Sequence, residues 1–238
     1  MEILYEDNHI IIVNKTTSEI VQGDKTGDTP LSEQLKQWLK EKYNKPGNVF
    51  VGVTHRLDRP VSGVVVFAKT SKALTRLNEM LRLGDIQKSY WAIVQNRPPK
   101  QQDEITHYLV RNEKQNKSYA YNGQKANAKK ATLSYTVIAQ SDRYNLLEVN
   151  LKTGRHHQIR CQLAQIGCPI KGDLKYGAKR SNPDGGISLH ARRIRFIHPV
   201  SQKEIDVTAP VPNDVLWKTF EQTVSNRLTE RANDKTEY

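Results

Sequence analysis

The stretch His55-Arg56-Leu57-Asp58-Arg59-Pro60-Val61-Ser62-Gly63 crowds an imidazole, two guanidiniums, a carboxylate and a hydroxyl into one short segment. Asp58 is its most promising reactive group. A carboxylate acts as a nucleophile or base only when ionised, and the neighbouring Arg56 and Arg59 favour the ionised form. The competing reading is structural, with Arg56 and Asp58 as an ion pair that fixes a loop. Other chemistries have less support. His55, His156, His157, His190 and His198 lack HxH or HExxH order, so no metal is expected. No GxGxxG or GxxxxGK[ST] is present, so no nucleotide cofactor is expected either. Val61-Ser62-Gly63 lacks the GxSxG pattern of a serine nucleophile.

Two apolar runs, Val49 to Val53 and Val64 to Ala68, must hold this segment, and both read as buried strands. Upstream, Ile3 to Tyr5 and His9 to Asn14 read as strands. A helix is expected after Thr29-Pro30, with Thr as N-cap and Pro at the first helical position. Downstream, Thr70 caps a helix carrying Leu74, Leu77 and Leu81, and Gly84 ends it. Lys88 to Val94 is a strand, with Glu104 to Val110 a candidate partner. Arg111 to Lys130 is polar and reads as an exposed loop or ragged hairpin. Ala131 to Val137 and Leu147 to Leu151 alternate as strands. A helix follows Lys152 to Arg160, with Ile159, Leu163 and Ile166 facing inward. Leu189 to Ile197 and Glu204 to Thr208 form a hairpin. Leu216, Phe220, Val224 and Leu228 line a last helix. The expected class is α+β with a mostly antiparallel sheet, as a single domain over residues 1–228 and a polar tail over 229–238.

The 238 residues carry a formal net charge of +12, with a pI near 9.6. Such an excess points to a polyanionic partner. From Lys152 to Arg195 ten cations face only Asp173 and Asp184. A phosphate backbone would balance them. Cys161 and Cys168 form no metal-binding spacing, and the acidic N-terminus has neither a basic leader nor a long apolar run. A reduced, cytoplasmic protein, monomeric and off the membrane, is expected.

The segment His55 to Val66 resembles the signature of the RluA-type pseudouridine synthases. Further pieces match in the same order. They are Tyr5 to Lys15, Lys88 to Ala92, Thr153 to Arg160, Cys168 to Asp173 with Tyr176-Gly177, and Leu189-His190-Ala191 with His198-Pro199. The pattern begins near Ile3, so a stand-alone catalytic domain without an S4-like domain is expected. The resemblance implies the pseudouridine synthase fold, a long mostly antiparallel sheet with flanking helices and a central cleft. It also implies isomerisation of uridine in ribosomal or transfer RNA, without cofactor or metal. By the same resemblance Asp58 is the essential aspartate, Tyr90 packs against the target base, and Arg160 pairs with the aspartate. Arg56 helps displace the uridine. Arg155, a phosphate contact or else a surface residue near a helix start, and His157 join it as expected RNA-binding residues. Two departures stand out: Thr16 follows Lys15 where proline is usual, and His156 stands where threonine is usual. Two rivals remain, a non-enzymatic RNA-binding protein and a glycoside hydrolase. The hydrolase would need a second carboxylate about 5 Å away.

Overall fold

A computed structural model of the chain describes residues 1–234. The chain is α+β, with a mostly antiparallel sheet, and it divides into two compact units. One comprises Met1–Ser89 and Ser181–Pro210, the other Tyr90–Arg180 and Val211–Tyr238.

In the first unit, β1 (Glu2–Glu6) pairs antiparallel with β2 (Ile10–Lys15). After α1 (Leu31–Lys42) and the short β3 (Gly52–Val53) comes β4 (Ser62–Ala68), buried along its whole length. β4 lies antiparallel to β2 from Gly63 to Ala68. Isoleucines and valines on both strands give near-continuous apolar runs, as a sheet covered on both faces requires. α2 (Ser71–Leu83) packs Ala73 and Leu77 onto Ile10, Ile12, Val64 and Val66. Its ends follow the sequence reading. Thr70 Oγ1 accepts the Ala73 N–H at 3.1 Å, and Gly84 closes the helix at φ 85°.

β5 (Gln87–Val94) begins in the first unit and continues into the second. There the strand order is β5, β9 (Asn145–Leu151), β8 (Lys129–Gln140), β6 (Gln102–Asn112) and β7 (Lys117–Tyr121). On β8 Ala131, Leu133, Tyr135 and Val137 are all buried, as strict alternation demands. α3 (Gln158–Gln165) and a single 3₁₀ turn at Leu174–Tyr176 follow. The chain then re-enters the first unit as the hairpin β10 (Leu189–Ile197) and β11 (Glu204–Thr208). α4 (Val215–Asp234) returns to the second unit, where Trp217 and Phe220 pack on Trp91, Ile93 and Leu146. No helix among the described residues is long and apolar enough to cross a membrane.

Four local expectations need correction. Val49 to Val51 is not a strand, and Phe50 is exposed. Gly52 already faces Ala68, the last residue of β4, so nothing remains for Val51 to pair with. α1 starts at Leu31 with Pro30 as its cap, and no side chain caps it. The Ile20 and Val21 carbonyls take the Leu31 and Ser32 N–H groups instead. β6 pairs with β7 and β8, as do Tyr108 with Tyr121 and Ile105 with Leu133. Finally, Leu228 is exposed and α4 runs on to Asp234 into the expected tail. Residues 235–238 lie outside the described residues.

Candidate active site

The Asp58 loop is held by its flanks before any side chain within it acts. Just ahead of it, Thr54 Oγ1 donates to the Val66 carbonyl at 2.6 Å, and His55 Nε2 accepts the Val66 N–H at 3.2 Å. Val66 of β4 is thus held through both its carbonyl and its N–H. His55 must be neutral, with its proton on Nδ1, to accept there. Burial, helped by the nearby Lys88 charge, pushes its pKa down to about 3. Past the loop, Ser62 Oγ and His190 Nδ1 meet at 2.9 Å inside the first unit. β4 and β10 run parallel here, with Ser62 opposite His190 and Gly63 opposite Ala191. Gly63 has φ +113°, and a Cβ on it would lie 2.3 Å from the Ala191 carbonyl oxygen, so only glycine allows this approach.

Within the loop the organising group is Lys15. It is 0 % exposed, and its ammonium donates to the carbonyls of Thr16 (2.9 Å), Arg59 (3.0 Å) and Val61 (2.6 Å). Three N–H groups meet three carbonyls, so the charge is fully solvated by backbone. Burial draws the Lys15 pKa down to about 8, against the opposing pull of Glu19 and Asp58. Asp58 sits half-buried, its own carbonyl accepting the Val61 N–H at 3.0 Å. Arg59 leaves the loop on the other side and binds Asp24, Asp28 and Thr26, which pins the connector beside it. Arg56 is exposed.

In the second unit, the segment after β9 is stapled by Gln158. Its Oε1 accepts from Thr153 Oγ1 (2.8 Å) and the Arg155 N–H (2.9 Å), while its Nε2 donates to the Thr132 carbonyl. His157 then takes a left-handed conformation, φ 53°, at the head of α3. Arg160, one turn on, forms a two-pronged pair with Asp173, Nε to Oδ2 at 2.7 Å and Nη2 to Oδ1 at 2.9 Å. Its Nη1 faces His157 Nε2 at 3.1 Å, and its guanidinium lies 5.1 Å from the Tyr176 ring centre. A guanidinium can only donate, so His157 is neutral, accepts at Nε2 and carries its proton on Nδ1. That proton points at Tyr176 Oη, 2.9 Å away. Tyr90 lies on β5 and is buried. Arg155 is exposed, with Nε donating to the Lys130 carbonyl.

Three readings change here. His157, expected against RNA, is 8 % exposed and orients Arg160. Its turn into the interior follows from the left-handed backbone. Asp173 is 1 % exposed and holds Arg160 two-pronged, a role that sequence spacing did not reveal. The ten cations of the basic stretch are also less isolated than their sequence suggests. Arg193 pairs with Asp206, Arg195 with Glu204 and Lys152 with Glu104, acids that all lie outside that stretch. Among the described residues, no group of three His, Cys, Asp or Glu side chains is placed to hold a metal ion.

A model of the family described as RNA pseudouridylate synthase matches residues 9–165. Ribosomal large subunit pseudouridine synthase D of Zymomonas mobilis is 30% identical over 239 residues, covering 95% of this chain and 74% of that protein. Ribosomal large subunit pseudouridine synthase C of Buchnera aphidicola is 32% identical over 225 residues, covering 91% and 68%. Among solved structures, that of human RNA pseudouridylate synthase domain containing 4 shares the fold with a TM-score of 0.76 at 22% identity, over 94% of this chain and 93% of that one.

Proposed function

The chain belongs to the RNA pseudouridylate synthase family and is an RNA pseudouridine synthase of the RluA type, and from that premise we propose that it isomerises uridine in ribosomal RNA with Asp58 as the catalytic carboxylate. The reaction breaks the N1–C1′ bond, turns the uracil and joins C5 to C1′. The hydrogen on C5 leaves to solvent and N1 takes up a proton. An ionised carboxylate starts this by attacking C1′ or C6, or by removing the C2′ proton. The target base must first leave its stack, which costs about a few kcal/mol.

One observation carries the assignment to Asp58: a buried ammonium fixes the backbone just after it at Arg59 and Val61, while Asp58 itself stays half-buried. A rigid backbone that presents a partly accessible carboxylate suits a group that must meet a substrate atom. By the family signature, Tyr90 supplies the aromatic face for the displaced base and Arg160 the guanidinium that serves the carboxylate. Arg56 and Arg155, both exposed, are the candidate phosphate contacts. Within the second unit the β6–β7 hairpin adds further cations, with Lys117 over the Tyr119 ring and, just past β7, Lys125 over Tyr121. Ribosomal RNA is favoured over transfer RNA because the relatives named above are ribosomal large subunit enzymes.

The test is tritium release from C5-labelled ribosomal RNA and transfer RNA transcripts. Wild-type protein is expected to release tritium from the ribosomal transcript, and Asp58→Asn to release none while binding RNA normally. Turnover retained by Asp58→Asn would remove Asp58 from the mechanism, and release from transfer RNA alone would replace the substrate.

A further inference from the structure

The position where the family pattern has threonine is occupied by His156, and its surroundings give the substitution a role. Ser118 Oγ donates to the His156 carbonyl at 2.8 Å and lies 2.9 Å from His156 Nδ1, where its lone pairs can accept. On the ring's other side Nε2 meets Asn116 Oδ1, a carbonyl oxygen, at 3.1 Å. With the Ser118 proton on that carbonyl both ring nitrogens face acceptors, an arrangement that the doubly protonated imidazolium satisfies. The ring stacks on His157 with centroids 3.8 Å apart and planes inclined by 18°. His157 is the neutral ring that accepts from Arg160. Ser118 also joins this array through its N–H, which donates to Tyr176 Oη at 2.8 Å.

The charged groups around His156 come from every neighbouring element. Lys117 stands on β7 and Arg155 on the same loop. Lys175, on the 3₁₀ turn, donates to the Asn116 carbonyl at 3.1 Å. The Arg160–Asp173 pair lies beyond His157. Like charges of this kind disfavour an imidazolium, while the two acceptors favour it. A phosphate seated near the β6–β7 turn would favour it further.

We propose that His156 is a positioning residue for Arg160. As an imidazolium it ties the β6–β7 turn, through Asn116 and Ser118, to the face of His157, whose Nε2 orients the guanidinium. The proposal deepens the function assigned above and rests on Arg160 serving the uridine chemistry.

Two readouts test it. Nitrogen-15 imidazole spectra of the free protein at pH 7 need no RNA, so they are independent of the substrate assignment. The expected result is that both His156 nitrogens carry protons and His157 is the Nδ1–H tautomer. A His156 ring with a bare nitrogen at pH 7 overturns the proposal. The second readout is single-turnover pseudouridine formation on the ribosomal transcript. His156→Phe keeps the stacked ring and removes both donors. It is expected to slow the chemical step by about tenfold while RNA affinity stays within about twofold. The wild-type rate should fall as pH rises through the His156 titration, and the His156→Phe rate should not. Asn116→Ala, an exposed turn residue that removes one acceptor without touching the core, should give a smaller loss in the same direction. Unchanged rates in both variants, or a loss confined to RNA affinity, overturn the proposal.

Discussion

Lys15 reaches the Val61 carbonyl at 2.6 Å from a wholly buried position, and the same ammonium also binds the Arg59 carbonyl, so one charge grips the Asp58 loop at two points. Lys15→Met keeps most of the volume and removes all three donors. The Thr16 and Val61 carbonyls lose this donor and the Arg59 carbonyl keeps only the Ser18 N–H, while the cost of burying the charge disappears. The balance is expected to be a loss of about 2–3 kcal/mol, read as a lower urea midpoint. Turnover should fall further than stability does, because the loop loses its register before the sheet does. A midpoint unchanged from wild type would show that those carbonyls find other donors.

Gly63 and Gly84 both have positive φ, at +113° and +85°, yet they should respond differently to alanine. At Gly84 a Cβ meets nothing within 4 Å, so Gly84→Ala costs only the left-handed backbone, about 1 kcal/mol. At Gly63 the new methyl would press on the Ala191 backbone, with oxygen at 2.3 Å and nitrogen at 2.6 Å. The parallel contact of β4 and β10 must then open, and about 3 kcal/mol or more is expected to be lost. Equal midpoints for the two variants in urea would refute the close approach.

Much of this was legible in the sequence because it is local. Thr70 and Gly84 mark the ends of α2 through groups within a turn of each other, and the β10–β11 hairpin closes through a short connection. The Ser62–Gly63 segment showed itself by composition and by resemblance. What could not be read depends on distant chain. Val49 to Val51 has the composition of a strand, but β4 ends before it can pair. Lys15 and Asp173 are charged types that usually face solvent, and only the fold reveals that one is enclosed by carbonyls and the other by Arg160. The family resemblance sets His157 among the expected RNA contacts. The sign of its φ, which turns it inward, leaves no mark on the sequence.

His190 gives the first unit a built-in acid sensitivity. It is 0 % exposed, and burial lowers its pKa to about 3, with the Arg192 charge adding to the effect and the Ala209 carbonyl opposing it. In the unfolded chain an ordinary histidine titrates near 6.5. Between those values the unfolded state binds the extra proton, so stability rises with pH across that window. The contribution is complete above about 6.5 and is lost progressively as pH falls toward 3. His190→Gln should lower stability at pH 7 by disturbing the bond to Ser62, and it should also flatten the slope between pH 4 and about 6.5. The check is a set of urea midpoints at several pH values for both proteins. Parallel curves would mean that other groups carry the acid limb.

Asp173 and Arg160 should show opposite sensitivities to neutralisation and to removal of the pair. The carboxylate is 1 % exposed and takes two N–H groups of one guanidinium. Asp173→Ala removes both acceptor oxygens of this buried pair, and breaking such a pair typically costs about 3–5 kcal/mol. Asp173→Asn keeps one acceptor and the shape, so it should cost less in stability. It cannot accept both prongs, however, so the two-pronged hold on Arg160 is broken and turnover should still drop. Arg160→Lys offers a point charge where a planar fork is needed, and it should behave like Asp173→Asn in turnover. Comparing urea midpoints with single-turnover rates for the three variants separates the two roles. If Asp173→Asn kept the full wild-type rate, the orientation of Arg160 by Asp173 would play no part in the reaction.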